Sequence, residues 1–371
     1  MQLFKLKPTI HRFATFAEFA KEFQLNANDL VITNEFIYKP FMEALGLKCH
    51  FVFQEKYGQG EPSDEMMNAI LAEAMKQPFS RVVAIGGGTV IDTAKLIALE
   101  GVDDVVKAFE RSIPIKRSKE LILLPTTCGT GSEVTNISIA EIKSKHTKMG
   151  LADDALLADA AVIVPELLKG LPYNFYVFSS VDALIHATES YVSPKCNVYT
   201  KVYSKAAIEM IIEVFKGIAA NGPEYRMEHF EEMLIASNFA GVAFGNAGVG
   251  AVHALSYPLG GTYHVPHGES NYQFFTAVFE LYQKKQPKGR IEEVNAVLAE
   301  NLGCKVDNVY AELDNLLGKL LQRKSLREYG MKEADIDGFT DAVIKTQQRL
   351  LANNYVELSR EEIRSLYAKL Y

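Results

Sequence analysis

Arg81-Val82-Val83-Ala84-Ile85-Gly86-Gly87-Gly88-Thr89-Val90-Ile91-Asp92-Thr93-Ala94-Lys95 carries an apolar run into three glycines and straight on into an amphipathic stretch. A short apolar run that ends at glycine reads as a strand buried on both faces, and Thr89 to Glu100 reads as the helix that follows it. Residues without a β-carbon at such a junction let backbone amides approach a phosphate, whose charge the helix N-terminus favours. The turn does not match the G-x-G-x-x-G pattern, and taken alone it serves a purely structural role just as well.

The same texture recurs on both sides. Leu30-Val31-Ile32-Thr33, His50-Phe53, Leu121-Leu124 and Ala161-Val164 are short apolar runs, and helical stretches fit between them. Pro62-Ser63-Asp64-Glu65 opens one of these helices with an N-cap serine and an acidic first turn, running towards Gln77. Such alternation predicts a doubly wound, Rossmann-like α/β domain over residues 1–171. Thr135 to Ala152, alternating and interrupted by Lys143-Ser144-Lys145-His146, predicts a hairpin appended to its sheet.

A second glycine-rich block, Pro125-Thr126-Thr127-Cys128-Gly129-Thr130-Gly131-Ser132-Glu133-Val134-Thr135, follows another strand. It offers hydroxyls and close backbone at the carboxyl edge of the sheet, where open α/β folds bind ligands. The plainer alternative is a Thr/Gly-rich loop, with Cys128 a small packing residue rather than a neighbour of a cofactor. Two such blocks at two strand ends favour the nucleotide reading.

After Gly170-Leu171-Pro172 the strand-like runs stop. Segments with 3.6-residue periodicity, such as Val202 to Ile218 and His229 to Ala243, predict an all-helical domain over 172–371. Two domains suit a length of 371 residues, and the lack of a low-complexity linker predicts that they meet tightly around a cleft.

Composition excludes other classes. With 48% hydrophobic and 23% charged residues the chain is neither disordered nor membrane-spanning, and no run reaches the ~18 apolar residues that a spanning helix needs. A net charge of −7, mixed in sign, gives no reason to expect nucleic acid or an anionic membrane as a partner. Met1 to Pro8 lacks a secretory apolar run, and the four cysteines (Cys49, Cys128, Cys196, Cys304) form no C-x-x-C pair; both features predict a cytoplasmic protein with reduced thiols.

The helical half carries the chemistry. Asp182 and His186, four residues apart, project from one helix face, and His253 and His267 flank a segment rich in Gly and Pro. A lone helical histidine is more often a satisfied core residue, but one Asp and three His together make a first shell for Fe, Zn, Ni or Co. A metal site and a nucleotide site in one chain predict a metal-assisted redox enzyme.

GGGTVIDTAK (86–95), PTTCGTGSEVT (125–135), DALIHATESYVS (182–193) and HALSYPLGGTYHVPHG (253–268) together resemble the iron-containing (group III) alcohol dehydrogenase family over most of the chain. The resemblance implies metal ligation by Asp182, His186, His253 and His267, with Fe²⁺ the family's preference and Zn²⁺ also compatible. It implies NAD(H) held by Gly87, Gly88, Thr89 and Asp92, by Thr126, Thr127 and Thr130 near the nicotinamide, and by Lys148 on the hairpin. Further likeness in NEFIYKPF (34–41), QEKYGQGEPSDEM (54–66) and REYGMKE (327–333) implies the substrate pair 4-hydroxybutyrate and succinate semialdehyde, and the family is commonly homo-oligomeric.

Three positions depart from the family's pattern. Tyr257 replaces a histidine that usually lies beside the nicotinamide, so the proton relay is assigned instead to Tyr257 or His264. Asn34 replaces an aspartate at the nucleotide's ribose, and Val164-Pro165 replaces Asp-Pro. Tyr263 and Asn271 join Tyr257 and His264 as candidates for the substrate carboxylate. The rival readings are another group III enzyme acting on a simple alcohol or diol, a dehydroquinate-synthase-like lyase that recycles NAD, and a non-catalytic nucleotide module whose His/Asp cluster only packs.

Overall fold

The computed structural model describes residues 2–145 and 147–371, so His146 of the predicted hairpin loop lies outside the described residues. Among the described residues the strands are β1 (Thr9–Arg12), β2 (Asp29–Thr33), β3 (His50–Phe53), β4 (Arg81–Gly86), β5 (Glu120–Pro125), β6 (Ile137–Ile142), β7 (Thr147–Ala152) and β8 (Ala160–Ile163). Six of them form one parallel sheet in the order β1-β8-β5-β4-β2-β3. From β2 the chain steps outward to β3, then returns across β2 to β4 and continues to β5 and β8. That reversal is the topological switch point, where doubly wound sheets bind ligands at the carboxyl ends of their strands.

Strand residues alternate between two cores. Leu30, Ile32, Val82, Ala84, Leu121 and Leu123 bury one face of the sheet with Ile70 and Leu71. Val31, Val83, Ile85, Ile122, Leu124 and Val162 bury the other with Phe16 and Phe19. Burial on both sides is why these strands read as unbroken apolar runs, and each such side chain contributes about 1.5–3 kcal/mol. The edge strand β1 has no such run; Thr9, Ile10 and Arg12 are exposed, and it is a strand because it pairs with β8.

The hairpin is a separate two-stranded antiparallel sheet, not an extension of the main one. It is held by Asp92 on the helix after β4, whose carboxylate accepts from Ile139 N at 3.0 Å while its carbonyl accepts from Ser138 Oγ at 3.0 Å. That helix is Gly88–Ile97, three residues shorter than expected at its C-terminal end. Ser63 caps helix Asp64–Ala74, accepting from Met66 N at 3.2 Å.

No strand occurs beyond β8 among the described residues. Helices Tyr173–Val192, Val198–Asn221 and Phe230–Ala247 pack on one another, while His267–Lys285 packs on Tyr173–Val192 and on Ala251–Tyr263. No single helix is long and apolar enough to cross a membrane among the described residues; Phe230–Ala247 and Ala251–Tyr263 reach that length only as a pair bent by 104°. The two compact units are Leu6–Leu171 and a helical unit that starts at Pro172 and also takes in the residues just before Leu6. An N-terminal domain of 1–171 therefore loses its first residues to the other unit. The cause is local: Lys5 N donates to Asn246 Oδ1 at 2.7 Å, Asn246 Nδ2 donates to Lys5 O at 3.0 Å, and Phe4 stacks on Tyr199 and Tyr203.

Candidate metal centre and nucleotide site

Asp182 and His186 stand one turn apart on helix Tyr173–Val192, His253 lies near the start of helix Ala251–Tyr263, and His267 opens helix His267–Lys285. Each offers one ligand atom, and the four atoms lie within 4.8 Å of one another. His253 Nε2 is 3.0 Å from His186 Nε2 and 3.8 Å from Asp182 Oδ1, and His267 Nε2 is 3.9 Å from Asp182 Oδ1. Donors about 2.0–2.2 Å from one ion stand roughly 3–4.4 Å apart, so a few tenths of an ångström of closure completes the shell.

Glycine lets the ligand helices meet. A β-carbon on Gly268 would stand 2.4 Å from the Phe178 carbonyl oxygen, so the backbones of two ligand helices approach too closely for any other residue. Asp182, His186 and His253 are buried, while His267 remains 32% exposed at its side chain, which leaves one open approach to the centre.

Two residues around the ligands hold them in place. Glu189 is buried on the same helix face as Asp182 and His186, seven and three residues further on. Its carboxylate accepts from Val252 N at 2.8 Å and meets His253 Nδ1 at 2.6 Å, which leaves Nε2 as the lone-pair donor towards the cluster. Asn271 Nδ2 donates to Asp182 Oδ1 at 2.7 Å and lies 3.1 Å from His267 Nε2, while its buried Oδ1 has no hydrogen-bond partner among the described residues. Burial pushes His253 down, but the Glu189 hydrogen bond and the charges of Glu189 and Asp182 outweigh it and hold the imidazole above its ordinary value. Burial pushes the Asp182 carboxyl up, and the three histidines with Asn271 outweigh that, leaving it below the usual carboxylate range. The arrangement thus favours an ionised carboxylate beside three imidazoles. That donor set and the orphaned Asn271 oxygen fit a divalent transition metal.

The structure separates the remaining candidates near this centre. Tyr257, on the helix that carries His253, has its ring 6.1 Å from that of His267. His264 ends that helix in the left-handed conformation, exposed, and no hydrogen bond or ring contact links it to the cluster. Tyr263 donates to Asp335, and Nδ2 of Asn271 is engaged by Asp182 and His267.

In the α/β unit the glycine turn ends β4 and the threonine loop ends β5, joined by Thr126 N donating to Gly86 O at 3.0 Å. A β-carbon on Gly88 would meet Thr130 Cγ2 at 3.1 Å and one on Gly87 would meet Thr127 Cγ2 at 3.4 Å, so the two loops lie in contact here, most tightly at Gly88. Thr127 Oγ1 is buried with no hydrogen-bond partner among the described residues. Thr89 Oγ1 donates to Gly60 O at 3.0 Å, bringing the loop after β3 to the same edge. This narrow, hydroxyl-lined cradle at the switch point fits a dinucleotide pyrophosphate.

Three residues expected at the cofactor, Asp92, Lys148 and Asn34, also make structural contacts. The Asp92 carboxylate accepts from Ser132 Oγ at 2.5 Å and Lys95 Nζ at 3.4 Å, as well as from Ile139 N, and so ties the turn, the threonine loop and the hairpin together. Lys95, fully buried, also donates to Ser132 Oγ and to Ile137 O, each at 2.6 Å. Lys148 of β7 forms an ion pair with Glu61. Asn34 Nδ2 donates to Gln54 Oε1 and Glu55 Oε2, both at 3.0 Å.

Glu189, Lys95 and Glu55 were not singled out by sequence. For Glu189 a signal existed, since Asp182, His186 and Glu189 repeat on one helical face; for Lys95 and Glu55 the partners are distant in the chain.

The chain resembles known proteins along its whole length. It is 55% identical over 371 residues to 4-hydroxybutyrate dehydrogenase of Clostridium kluyveri, covering 100% of both chains. It is 35% identical over 317 residues to long-chain-alcohol dehydrogenase 1 of Geobacillus thermodenitrificans, covering 83% of this chain and 79% of that one. Its fold matches the crystal structure of sulfoacetaldehyde reductase from Bifidobacterium kashiwanohense in complex with NAD+, with a TM-score of 0.85 at 23% identity over 100% and 99% of the two chains. Residues 9–165 match the iron-containing alcohol dehydrogenase family, and residues 176–371 match the C-terminal part of the Fe-containing alcohol dehydrogenase family. With both halves of the chain matched and four candidate metal ligands gathered in the second, this protein belongs to the iron-containing alcohol dehydrogenase family.

Proposed function

We infer that this chain catalyses the reversible reaction of 4-hydroxybutyrate with NAD⁺ to give succinate semialdehyde, NADH and a proton. The observation that carries the reading is the convergence of Asp182, His186, His253 and His267 within 4.8 Å, in a chain 55% identical to a 4-hydroxybutyrate dehydrogenase along its full length. A divalent metal bound by these four, Fe²⁺ in our reading, supplies a Lewis acid for the substrate oxygen, and NAD⁺ supplies the hydride acceptor.

The protein's residues do the rest. Glu189 keeps Nε2 of His253 turned to the centre, and Asn271 steadies Asp182 and His267. The cradle of Gly87, Gly88 and Thr89 takes the pyrophosphate, with Thr126, Thr127 and Thr130 as its hydroxyl wall. Tyr257, beside His267, relays the alcohol proton in place of the family's histidine, its hydroxyl accepting that proton as it gives its own to solvent water; exposed His264 is the alternative relay. We also assign the protein to a homo-oligomer, supported by exposed Val198, Tyr199 and Val202 on one turn of a helix, and, with its four cysteines as free thiols, to the cytoplasm.

The test is anaerobic incubation of Fe²⁺-loaded protein with NAD⁺ and 4-hydroxybutyrate, following the absorbance of reduced nicotinamide. Net NADH is expected, with simple alcohols and diols turned over less efficiently. A lyase that recycles its NAD gives no net NADH, and a packing cluster gives neither turnover nor stoichiometric metal; either result sinks the reading.

A further inference from the structure

We propose that Glu55 supplies the negative charge that excludes a 2′-phosphorylated dinucleotide, a role that neutral Asn34 at the end of β2 does not perform. The proposal rests on the nucleotide reading above and sharpens it to one cofactor.

In a doubly wound sheet the ribose of a dinucleotide lies against the carboxyl end of the strand beside the phosphate turn, where an acidic side chain accepts from the 2′-hydroxyl and repels a 2′-phosphate. Here that strand is β2, directly paired with β4, and the residue after it is Asn34. An amide carries no charge, so Asn34 by itself does not repel a phosphate. The adjacent strand β3 delivers the missing charge: Glu55 Oε2 accepts from Asn34 Nδ2 at 3.0 Å, and Oε1 accepts from Glu35 N at 2.5 Å. These two bonds lock the carboxylate at the end of β2. Gln54 Oε1 accepts from the same Asn34 Nδ2 at 3.0 Å, and Gln54 Nε2 donates to Gly58 O at 2.8 Å, fixing the loop that also meets Thr89.

The cations nearby are occupied elsewhere. Lys56 lies over the Phe53 ring at 4.7 Å, and Lys39 pairs with Glu35 at 3.4 Å. Asn34 and Glu55 thus divide between them what one acidic residue does in other nucleotide folds: the amide fixes the position and the carboxylate carries the charge.

Fluorescence titration of the metal-loaded protein with NADH and with NADPH, without substrate, tests this. Glu55→Gln keeps an acceptor for Glu35 N and removes the charge; it is expected to lower the ratio of the NADPH to the NADH dissociation constant about tenfold, the scale of one partly screened charge contact. Adding Asn34→Asp to that variant is expected to raise the ratio again. A ratio unchanged in Glu55→Gln, a parallel loss of both affinities, or no recovery in the double variant overturns the proposal. Failure of the unmodified protein to bind NADH would instead remove the nucleotide reading beneath it.

Discussion

At the residue scale, the centre depends on groups that never touch the metal position. Glu189 fixes which nitrogen of His253 faces the cluster, and such partners typically contribute about 10–100-fold in metal affinity. Glu189→Gln is therefore expected to fold normally and lose Fe²⁺ roughly 10–100-fold more readily to a competing chelator. Metal retained as in the unmodified protein would show that His253 is oriented by packing alone. The cluster was legible because Asp182 and His186 obey helical spacing and because one Asp and three His recur together in the family's pattern. Asp92, which the family resemblance implies beside the pyrophosphate, also accepts from Ser132 and Ile139, 40 and 47 residues away in the chain. Local sequence does not display such partners.

At the element scale, Gly268 sets how near two helices stand. A methyl there would meet the Phe178 carbonyl at 2.4 Å, and backbone cannot swing aside as a side chain can. Gly268→Ala is expected to cost about 1–3 kcal/mol in unfolding free energy and to separate His267 from Asp182. Equilibrium denaturation with metal analysis reads both; a stable variant that still binds one equivalent of metal would refute the close-approach argument. The strands buried on both faces were readable from their apolar runs, whereas β1 was not, since Thr9–Arg12 has an exposed edge pattern and exists only through β8. The hairpin was visible from its alternation, but its independence from the main sheet comes from contacts to Asp92 that alternation does not encode.

At the scale of the whole molecule, buried phenols tie stability to alkaline pH. Burial pushes Tyr282 and Tyr367 well above their ordinary value and raises Tyr272 and Tyr191 to about 12. The unfolded chain gives up these protons near pH ~10, so above that pH the native state holds more protons than the unfolded one and stability falls as pH rises. Below that pH their contribution is fully present. Lys95, whose ammonium burial pushes down, acts in the opposite sense as a single group. The melting temperature is expected to fall from about pH 10 upward, and less steeply in Tyr367→Phe. A flat profile across that range would mean that the phenols ionise without unfolding.

The seating of Lys5 against Asn246, and of Phe4 between Tyr199 and Tyr203, gives the polypeptide an order of events. On the ribosome these residues emerge ahead of everything in Leu6–Leu171, yet their partners appear only some two hundred positions later. Since domains generally fold as units while synthesis proceeds, the nucleotide half can close first, with the segment before Leu6 still awaiting its partners. That segment is then the last stitch of the half made second.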